Sequence, residues 1–194
     1  MKIIIVSVPG GGKSTVLEFV KKKLPRAKIV TAGDIYFKIA RKKYGIKDRD
    51  EMRKKLTIEQ QKEIQVMVAE KISKVRAKIL FINTHIMVKT PRGYFQALSI
   101  KTMGIMKPDA IAIIESNPKD VLERRMTDKT RKRDIESLWA IEEHQRINRK
   151  VAFELTKNTN CRVKIINLRF REKKQFDQAR KGADEIVKLI GAMR

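Results

Sequence analysis

The residues with the clearest chemistry form a glycine-rich turn followed by a lysine and a hydroxyl group. Residues 7–14 read Ser-Val-Pro-Gly-Gly-Gly-Lys-Ser. Glycines allow the backbone to curl so that successive N–H groups point at the oxygens of one anion. The lysine adds a mobile positive charge, and a serine hydroxyl is an oxygen ligand of the kind that Mg²⁺ prefers. The spacing therefore predicts a loop that binds the phosphates of a nucleotide together with Mg²⁺.

The segments on either side of this loop supply the structure that the chemistry needs. Residues 3–6 are all β-branched, which predicts a buried strand, and apolar residues at helical spacing follow the loop. In the motif G-x-x-x-x-G-K-[ST], the helix after the loop presents its positive N-terminal end to the same anion. Ser7 stands where the motif has glycine, and we expect it to fit with some backbone strain. The predicted nucleotide-binding residues are Val8, Pro9, Gly10, Gly11, Gly12, Lys13, Ser14 and Thr15.

Strand and helix signals alternate along the whole chain. Strands are predicted at residues 2–7, 28–31, 78–82, 110–115 and 162–168. Helices are predicted at residues 14–23, from Asp34 as cap to about residue 45, after a Thr57–Gln60 capping box, after Asn117-Pro118, and at about 135–157 and 179–190. The alternation predicts one domain over residues 1–194 with a three-layer α/β fold of the P-loop NTPase type. Its parallel sheet should have about five strands, with helices on both faces.

The composition bounds the class of protein. The formal net charge of the 194 residues is +24, and the basic residues are spread along the whole chain. Such a charge attracts polyanions, but basic surfaces rich in ion pairs also occur in proteins from hot environments, so any nucleic-acid binding is expected to be non-specific. No apolar run approaches the roughly 20 residues that span a bilayer, and we expect a cytoplasmic protein without membrane contact. The single cysteine, Cys161, excludes an internal disulfide.

Several further segments carry a resemblance to a known family. They are Gly33-Asp34, residues 47–53 (Lys-Asp-Arg-Asp-Glu-Met-Arg), 81–85 (Phe-Ile-Asn-Thr-His), 89–94 (Lys-Thr-Pro-Arg-Gly-Tyr), Ile114-Glu115 with Pro118, 130–134 (Thr-Arg-Lys-Arg-Asp), and Glu143-His144 with Asn148-Arg149. In order and spacing they resemble the archaeal type of adenylate kinase, a P-loop nucleoside monophosphate kinase, along nearly the whole chain. The resemblance implies transfer of the γ-phosphoryl group of ATP to AMP, with Mg²⁺. It also implies a homo-oligomer, with a trimer as the specific expectation.

The resemblance further implies where the substrates bind. An AMP-binding helical segment is expected at about residues 32–77 and a short basic lid at about residues 127–134. Arg53 is the candidate for holding the AMP phosphate, and Arg124 or Arg125, Arg131 and Arg133 are candidates for clamping the transferring group. Phosphoryl transfer passes through a loose, negatively charged transition state, so clustered Lys13 and arginine charges suit it on physical grounds as well.

Asn83 departs from the family pattern. The resembling family has aspartate at this position, where an acidic residue orients Mg²⁺, and this chain has asparagine. Asparagine keeps the oxygen acceptor and loses the charge, so we expect Ser14 and Asn83 to serve the metal with a weaker hold on its waters. Asp34 or Glu115 is the alternative source of that missing charge.

The sequence also contains two histidines, His85 and His144, and it leaves two alternative functions open. Transfer to a phosphate acceptor needs no base, so His85 is expected to position or pack, and His144 to be structural or close to phosphate. A second function class is an RNA-binding P-loop protein that uses ATP as a switch, consistent with the net charge of +24. A third is a kinase for another acceptor, such as CMP or UMP. The chain has no Asn-Lys-x-Asp segment, which argues against a GTPase.

Overall fold

Five parallel strands form the centre of the molecule. The computed structural model describes residues 1–90, 93–128 and 135–193. In chain order the sheet strands are β1 (Lys2–Val6), β2 (Lys28–Thr31), β3 (Leu80–Asn83), β6 (Ala110–Ser116) and β7 (Arg162–Leu168). They lie side by side in the order β2-β3-β1-β6-β7, and every neighbouring pair is parallel. All five carboxyl ends therefore lie at one edge of the sheet, where ligands of open α/β folds bind.

Helices cover both faces of this sheet. They are α1 (Lys13–Lys23), α2 (Ala32–Tyr44), α3 (Arg49–Lys55), α4 (Ile58–Ser73), α5 (Ile100–Met106), α6 (Pro118–Thr127), α7 (Leu138–Thr156) and α8 (Asp177–Ala192). A separate antiparallel hairpin pairs β4 (Met87–Thr90) with β5 (Gly93–Gln96). Among the described residues, no helix has both the length and the apolar character needed to cross a bilayer.

The alternation of side chains along β1 shows how two cores are built. Ile4 and Val6 pack with α2, α4, α5 and α7, whereas Ile3 and Ile5 pack with α1 and α8. Since successive strand residues point to opposite faces, a β-branched run buries apolar surface on both sides of the sheet. The predicted three-layer α/β fold with a parallel sheet of five strands is confirmed.

The helix starts confirm two of the three cap predictions. Thr57 and Gln60 form a capping box at α4, and the Asn117 side chain accepts a hydrogen bond from Lys119 N at the start of α6. The prediction for Asp34 was wrong. Because β2 runs directly into α2, Thr31 is the N-cap residue and Asp34 lies within the first turn. There its carboxylate pairs with Arg49 of α3.

Candidate functional site

The loop between β1 and α1 has the shape of an anion cradle. Gly10 and Gly12 adopt left-handed backbone angles, with φ of 83° and 80°, and the Gly11 N–H donates to the Val8 carbonyl over 3.0 Å. A methyl group at Gly10 would lie 2.9 Å from Arg125 Cγ, so both the angle and the space require glycine there. Gly12 is the N-cap of α1, and the positive end of that helix therefore opens into the loop.

Two side chains hold the loop by its carbonyl groups. Arg125 Nε of α6 donates to the Pro9 carbonyl over 2.8 Å, and Ser116 Oγ at the end of β6 donates to the Gly11 carbonyl over 3.2 Å. In a trans peptide the C=O and N–H groups point in opposite directions. Anchoring these two carbonyls therefore directs the N–H groups of Gly10 and Gly12 to the other side of the loop, where a phosphate can accept from them.

Ser7 does not carry the backbone strain that we expected. Among the described residues, only Lys107 and Phe176 combine a side chain with positive φ, so Ser7 has an ordinary backbone angle. Its side chain is buried, and Oγ donates to the Val8 carbonyl over 3.1 Å. The hydroxyl is thus satisfied inside the turn, which explains how serine replaces the usual glycine.

Lys13 reaches from the loop toward the neighbouring strand. Its side chain is buried, and Nζ donates a hydrogen bond to the Thr84 carbonyl just after β3. Burial lowers the pKa of the Lys13 ammonium group to about 7. A phosphate beside Nζ would raise this pKa again and so favour the charged form of the lysine.

The other predicted binding residues lie in or directly after the same loop. Val8 is buried and packs with Val121 and Ile141, which fixes the loop on α6 and α7. Ser14 is exposed in the first turn of α1, and Thr15 beside it is half-buried. The structure therefore places residues 8–15 in one continuous turn and helix start.

Asn83 ends β3 at the same edge of the sheet. It pairs in register with Ile5 of β1 and with Thr31 of β2, and its Nδ2 donates to Thr31 Oγ1 over 3.4 Å. It thus lies one strand away from the phosphate loop, in a position that suits an oxygen ligand reaching the metal through water.

The two carboxylates considered as substitutes for an aspartate at this position are engaged elsewhere. Asp34 pairs with Arg49. Glu115 is buried, accepts two hydrogen bonds of 2.9 Å from Arg149, and lies 3.4 Å from Arg169. Within the described ranges, no group of three or more histidine, cysteine or acidic residues could hold a metal ion on its own. The donors present fit a metal that arrives with the nucleotide and takes phosphate oxygens and the Ser14 hydroxyl as ligands.

The arginines of α6 have separate surroundings. Arg124 donates to the Gln178 side chain of α8, and its NH1 lies 3.4 Å from where a methyl group on Gly12 would be. Arg125 is almost completely buried beneath the loop, with 4% of its surface exposed. The sequence pattern did not distinguish these two arginines, and helix packing assigns them different partners. Arg131 and Arg133, and the side chain of Arg53, lie outside the part of the chain that the structure describes.

Glu136 was missed by the sequence analysis. Its carboxylate receives hydrogen bonds from Arg125 and from Lys89 of β4. Burial opposes ionisation of this carboxyl group, but the two cationic donors outweigh it, so the pKa of Glu136 lies below its ordinary value. A polar residue just after the basic lid segment carries no motif, and only the fold brings it to Arg125.

The sequence analysis assigned no role to Gln145 and Asn148, two polar residues on the buried face of α7. Gln145 accepts from Ser116 N over 2.9 Å and donates to the Ser116 carbonyl over 3.1 Å, which fixes the residue whose Oγ holds the loop. Asn148 accepts from Met87 N over 3.1 Å and so attaches the hairpin to the same helix. Polar residues at positions i and i+3 on an otherwise apolar helix face could have signalled this role.

The two histidines position backbone groups. His144 is buried, and burial lowers its pKa below the ordinary value. Since a carbonyl oxygen can only accept, Nε2 donates to the Met87 carbonyl over 3.1 Å, and the ring packs edge-on against Tyr94. His85 Nδ1 lies 3.3 Å from the Ser7 carbonyl, at the start of the phosphate loop. Both contacts agree with positioning and packing.

Comparison with known proteins supplies the family. Over 191 residues the chain is 42% identical to an adenylate kinase from Pyrobaculum aerophilum, covering 98% of this chain and 96% of the relative. The chain belongs to the adenylate kinase family. Adenylate kinases from Pyrococcus horikoshii and Methanococcus aeolicus are 36% and 35% identical, each over 97% of this chain and over 94% and 96% of the relative. The resemblance to adenylate kinase is thereby confirmed.

Two broader comparisons concern the fold. A family model described as an AAA domain matches residues 6–142. Shikimate kinases from Acinetobacter baumannii and Bacteroides thetaiotaomicron superpose with TM-scores of 0.63 and 0.64 at 16% and 13% sequence identity. They cover 100% and 98% of this chain, and 94% and 98% of their own chains. At this identity the likeness supports the P-loop kinase fold alone.

Proposed function

We propose that this protein is an ATP:AMP phosphotransferase that converts ATP and AMP into two molecules of ADP. The observation that carries the proposal is the geometry of the loop of residues 8–15 in a chain of the adenylate kinase family. Arg125 and Ser116 hold the Pro9 and Gly11 carbonyls, and Lys13 is buried beside β3. Membership of this family favours a kinase over the RNA-binding ATPase considered from the sequence.

The donor half of the site binds ATP. The N–H groups of the loop and the Lys13 ammonium hold its β- and γ-phosphates, and Arg124, braced by Gln178 beside Gly12, adds positive charge at the loop edge. Ser14, with Asn83 acting through water, would hold Mg²⁺ against the phosphates. When bound, this ion neutralises charge that develops on the phosphate oxygens.

The acceptor half binds AMP at the carboxyl ends of β3 and β2, beside the segment of about residues 32–77. Arg53 holds the AMP phosphate, and Arg131 and Arg133 of the lid at about residues 127–134 clamp the transferring group. An oxygen of the AMP phosphate attacks the γ-phosphorus of ATP, and the bond from that phosphorus to the β–γ bridging oxygen breaks. Lys13 and the arginines stabilise the negative charge of the loose transition state, and the lid excludes water that would otherwise hydrolyse ATP.

One assay tests the reaction and its acceptor. ADP formation is measured by a coupled assay with ATP and, in turn, AMP, CMP, UMP or GMP. The proposal expects turnover with AMP to exceed that with the other acceptors. Preference for CMP or UMP would instead assign the chain to the kinases of other nucleoside monophosphates, and ATP hydrolysis without any acceptor preference would refute phosphotransfer.

The assembly and location belong to the same proposal. We expect a cytoplasmic homo-oligomer, specifically a trimer. Light scattering coupled to size-exclusion chromatography measures the molar mass against the 22.5 kDa of one chain. A mass of a single chain across the micromolar range would contradict the trimer.

A further inference from the structure

Three charged residues connect the phosphate loop to the β4–β5 hairpin. Lys89 of β4 and Arg125 of α6 each donate to a different oxygen of the Glu136 carboxylate. Arg125 continues the connection through Nε to the Pro9 carbonyl. The connection from the phosphate loop to the hairpin thus passes through the Glu136 carboxylate. Glu136 lies two residues before α7 begins.

Glu136 is a buried charge partner of Arg125. The Arg125 side chain is 2% exposed and that of Glu136 is 11% exposed. A buried guanidinium must be compensated by a nearby anion, because removing one partner of such a pair leaves an uncompensated buried charge. If the carboxylate were lost, Arg125 would lose this anchor, and Arg125 and Lys89 would face each other as two cations, which further disfavours the present position of Arg125.

The position of Arg125 sets the orientation of one loop amide. Its Nε holds the Pro9 carbonyl, and the same peptide carries the Gly10 N–H on its opposite side. A shift of Arg125 releases that carbonyl, and the peptide is then free to turn its N–H away from the phosphates. The left-handed angle of Gly10, with φ of 83°, gives this peptide the freedom to do so.

We propose that Glu136 is a positioning residue for nucleotide binding: it holds Arg125 against the Pro9 carbonyl and so keeps the Gly10 N–H directed at the phosphates of ATP. Glu136 itself touches no substrate in this role. The inference rests on the proposed function only in naming ATP as the ligand of the loop.

The test compares Glu136→Gln with Glu143→Gln in the full-length chain. Glu143 is a matched control, since its carboxylate also accepts two hydrogen bonds, both from Arg146 at 2.7 and 2.8 Å, but it is half-buried and its arginine is exposed. Calorimetric titration measures the dissociation constants for ATP and for AMP, and thermal unfolding without nucleotide measures stability. We expect Glu136→Gln to weaken ATP binding roughly tenfold or more and AMP binding less than about twofold. Glu143→Gln should leave both constants unchanged.

Lys89→Met distinguishes the effect of Lys89 from that of Arg125. In the parent chain it should change the ATP dissociation constant less than about threefold, because Glu136 still holds Arg125. In the Glu136→Gln background it should not weaken ATP binding further, since it removes the charge that repels Arg125. A purely structural role for Glu136 would lower the unfolding temperature and weaken both ligands equally, and that result would overturn the proposal.

Two further measurements keep the outcome decisive. If Glu136→Gln does not fold, Glu136→Asp keeps the charge on a side chain one methylene shorter, and its ATP affinity should still fall about threefold. Unchanged ATP affinity in whichever variant folds would overturn the positioning role. The coupled ADP assay on the parent chain tests the proposed function separately, so the two failures are distinguishable.

Discussion

Replacing Gly10 with alanine perturbs the phosphate loop in two ways that can be separated. Alanine in a left-handed conformation costs about 1–2 kcal/mol, whatever surrounds it. The new methyl group would also lie 2.9 Å from Arg125 Cγ and 3.2 Å from the Val121 carbonyl. Arg125 cannot swing aside easily, because its head group is held by Pro9 and Glu136. This overpacking adds about 1–3 kcal/mol.

Gly45→Ala is the matched control. Gly45 ends α2 with φ of 65°, and a methyl group there would meet nothing within 4 Å. It should therefore carry the conformational cost alone. In a chain of this size each kcal/mol lowers the unfolding temperature by about 2–4 °C. Thermal unfolding of both variants should show the larger decrease for Gly10→Ala, and only Gly10→Ala should weaken ATP binding in a calorimetric titration. Equal unfolding temperatures together with intact ATP affinity in Gly10→Ala would refute the packing of Arg125 against the loop.

Three further predictions concern charge. Lys13→Ala should reduce turnover in the coupled assay by at least about 100-fold while circular dichroism shows an intact fold, and near-normal turnover would rule out the loop mechanism. Asn83→Asp should lower the Mg²⁺ concentration for half-maximal activity, because the added carboxylate holds the metal's waters more firmly, whereas identical Mg²⁺ curves for both proteins would exclude Asn83 as the metal-orienting position. If nucleic-acid binding reflects only the net charge of +24, filter binding across a salt series should show weak, sequence-blind and steeply salt-dependent retention of RNA. Tight binding of one RNA at high salt would argue for a dedicated RNA site.

The parts of the fold that the sequence predicted are those with strong local signals. The strand at residues 2–7 and the loop after it are contiguous, and the structure departs from the prediction by one residue, since β1 ends at Val6. The capping box of Thr57 and Gln60 is likewise local. The hairpin of β4 and β5, with four residues in each strand, carries no comparable periodicity. Its base is held by His144 and Asn148 of α7, so its position depends on a helix more than 50 residues away.

Two neighbouring residues of α6 show why the sequence alone could not assign the role of each arginine. Arg124 and Arg125 look equivalent in the sequence, and both resemble lid-side arginines of the family. Packing of α6 turns Arg125 under the loop, where it is buried, and leaves Arg124 half-buried against Gln178. Sequence spacing cannot set this rotation, because it depends on which face of α6 meets Val8 and Ile141. Glu136 could not be predicted either, because its contacts depend on how α6 and β4 pack beside it.

The loop amides depend on polar groups buried behind them more than on the glycines alone. Glycine permits the left-handed angles at residues 10 and 12 but does not select them, since it adopts positive and negative φ about equally. Selection comes from the anchored carbonyls: Arg125 holds Pro9, and Ser116 holds Gly11. Ser116 is in turn fixed by Gln145 through both of its backbone groups. Because the Arg125, Ser116 and Gln145 side chains are buried, releasing one of their hydrogen bonds leaves a buried polar group unsatisfied at a cost of about 1–3 kcal/mol, which favours the formed cradle before a nucleotide arrives.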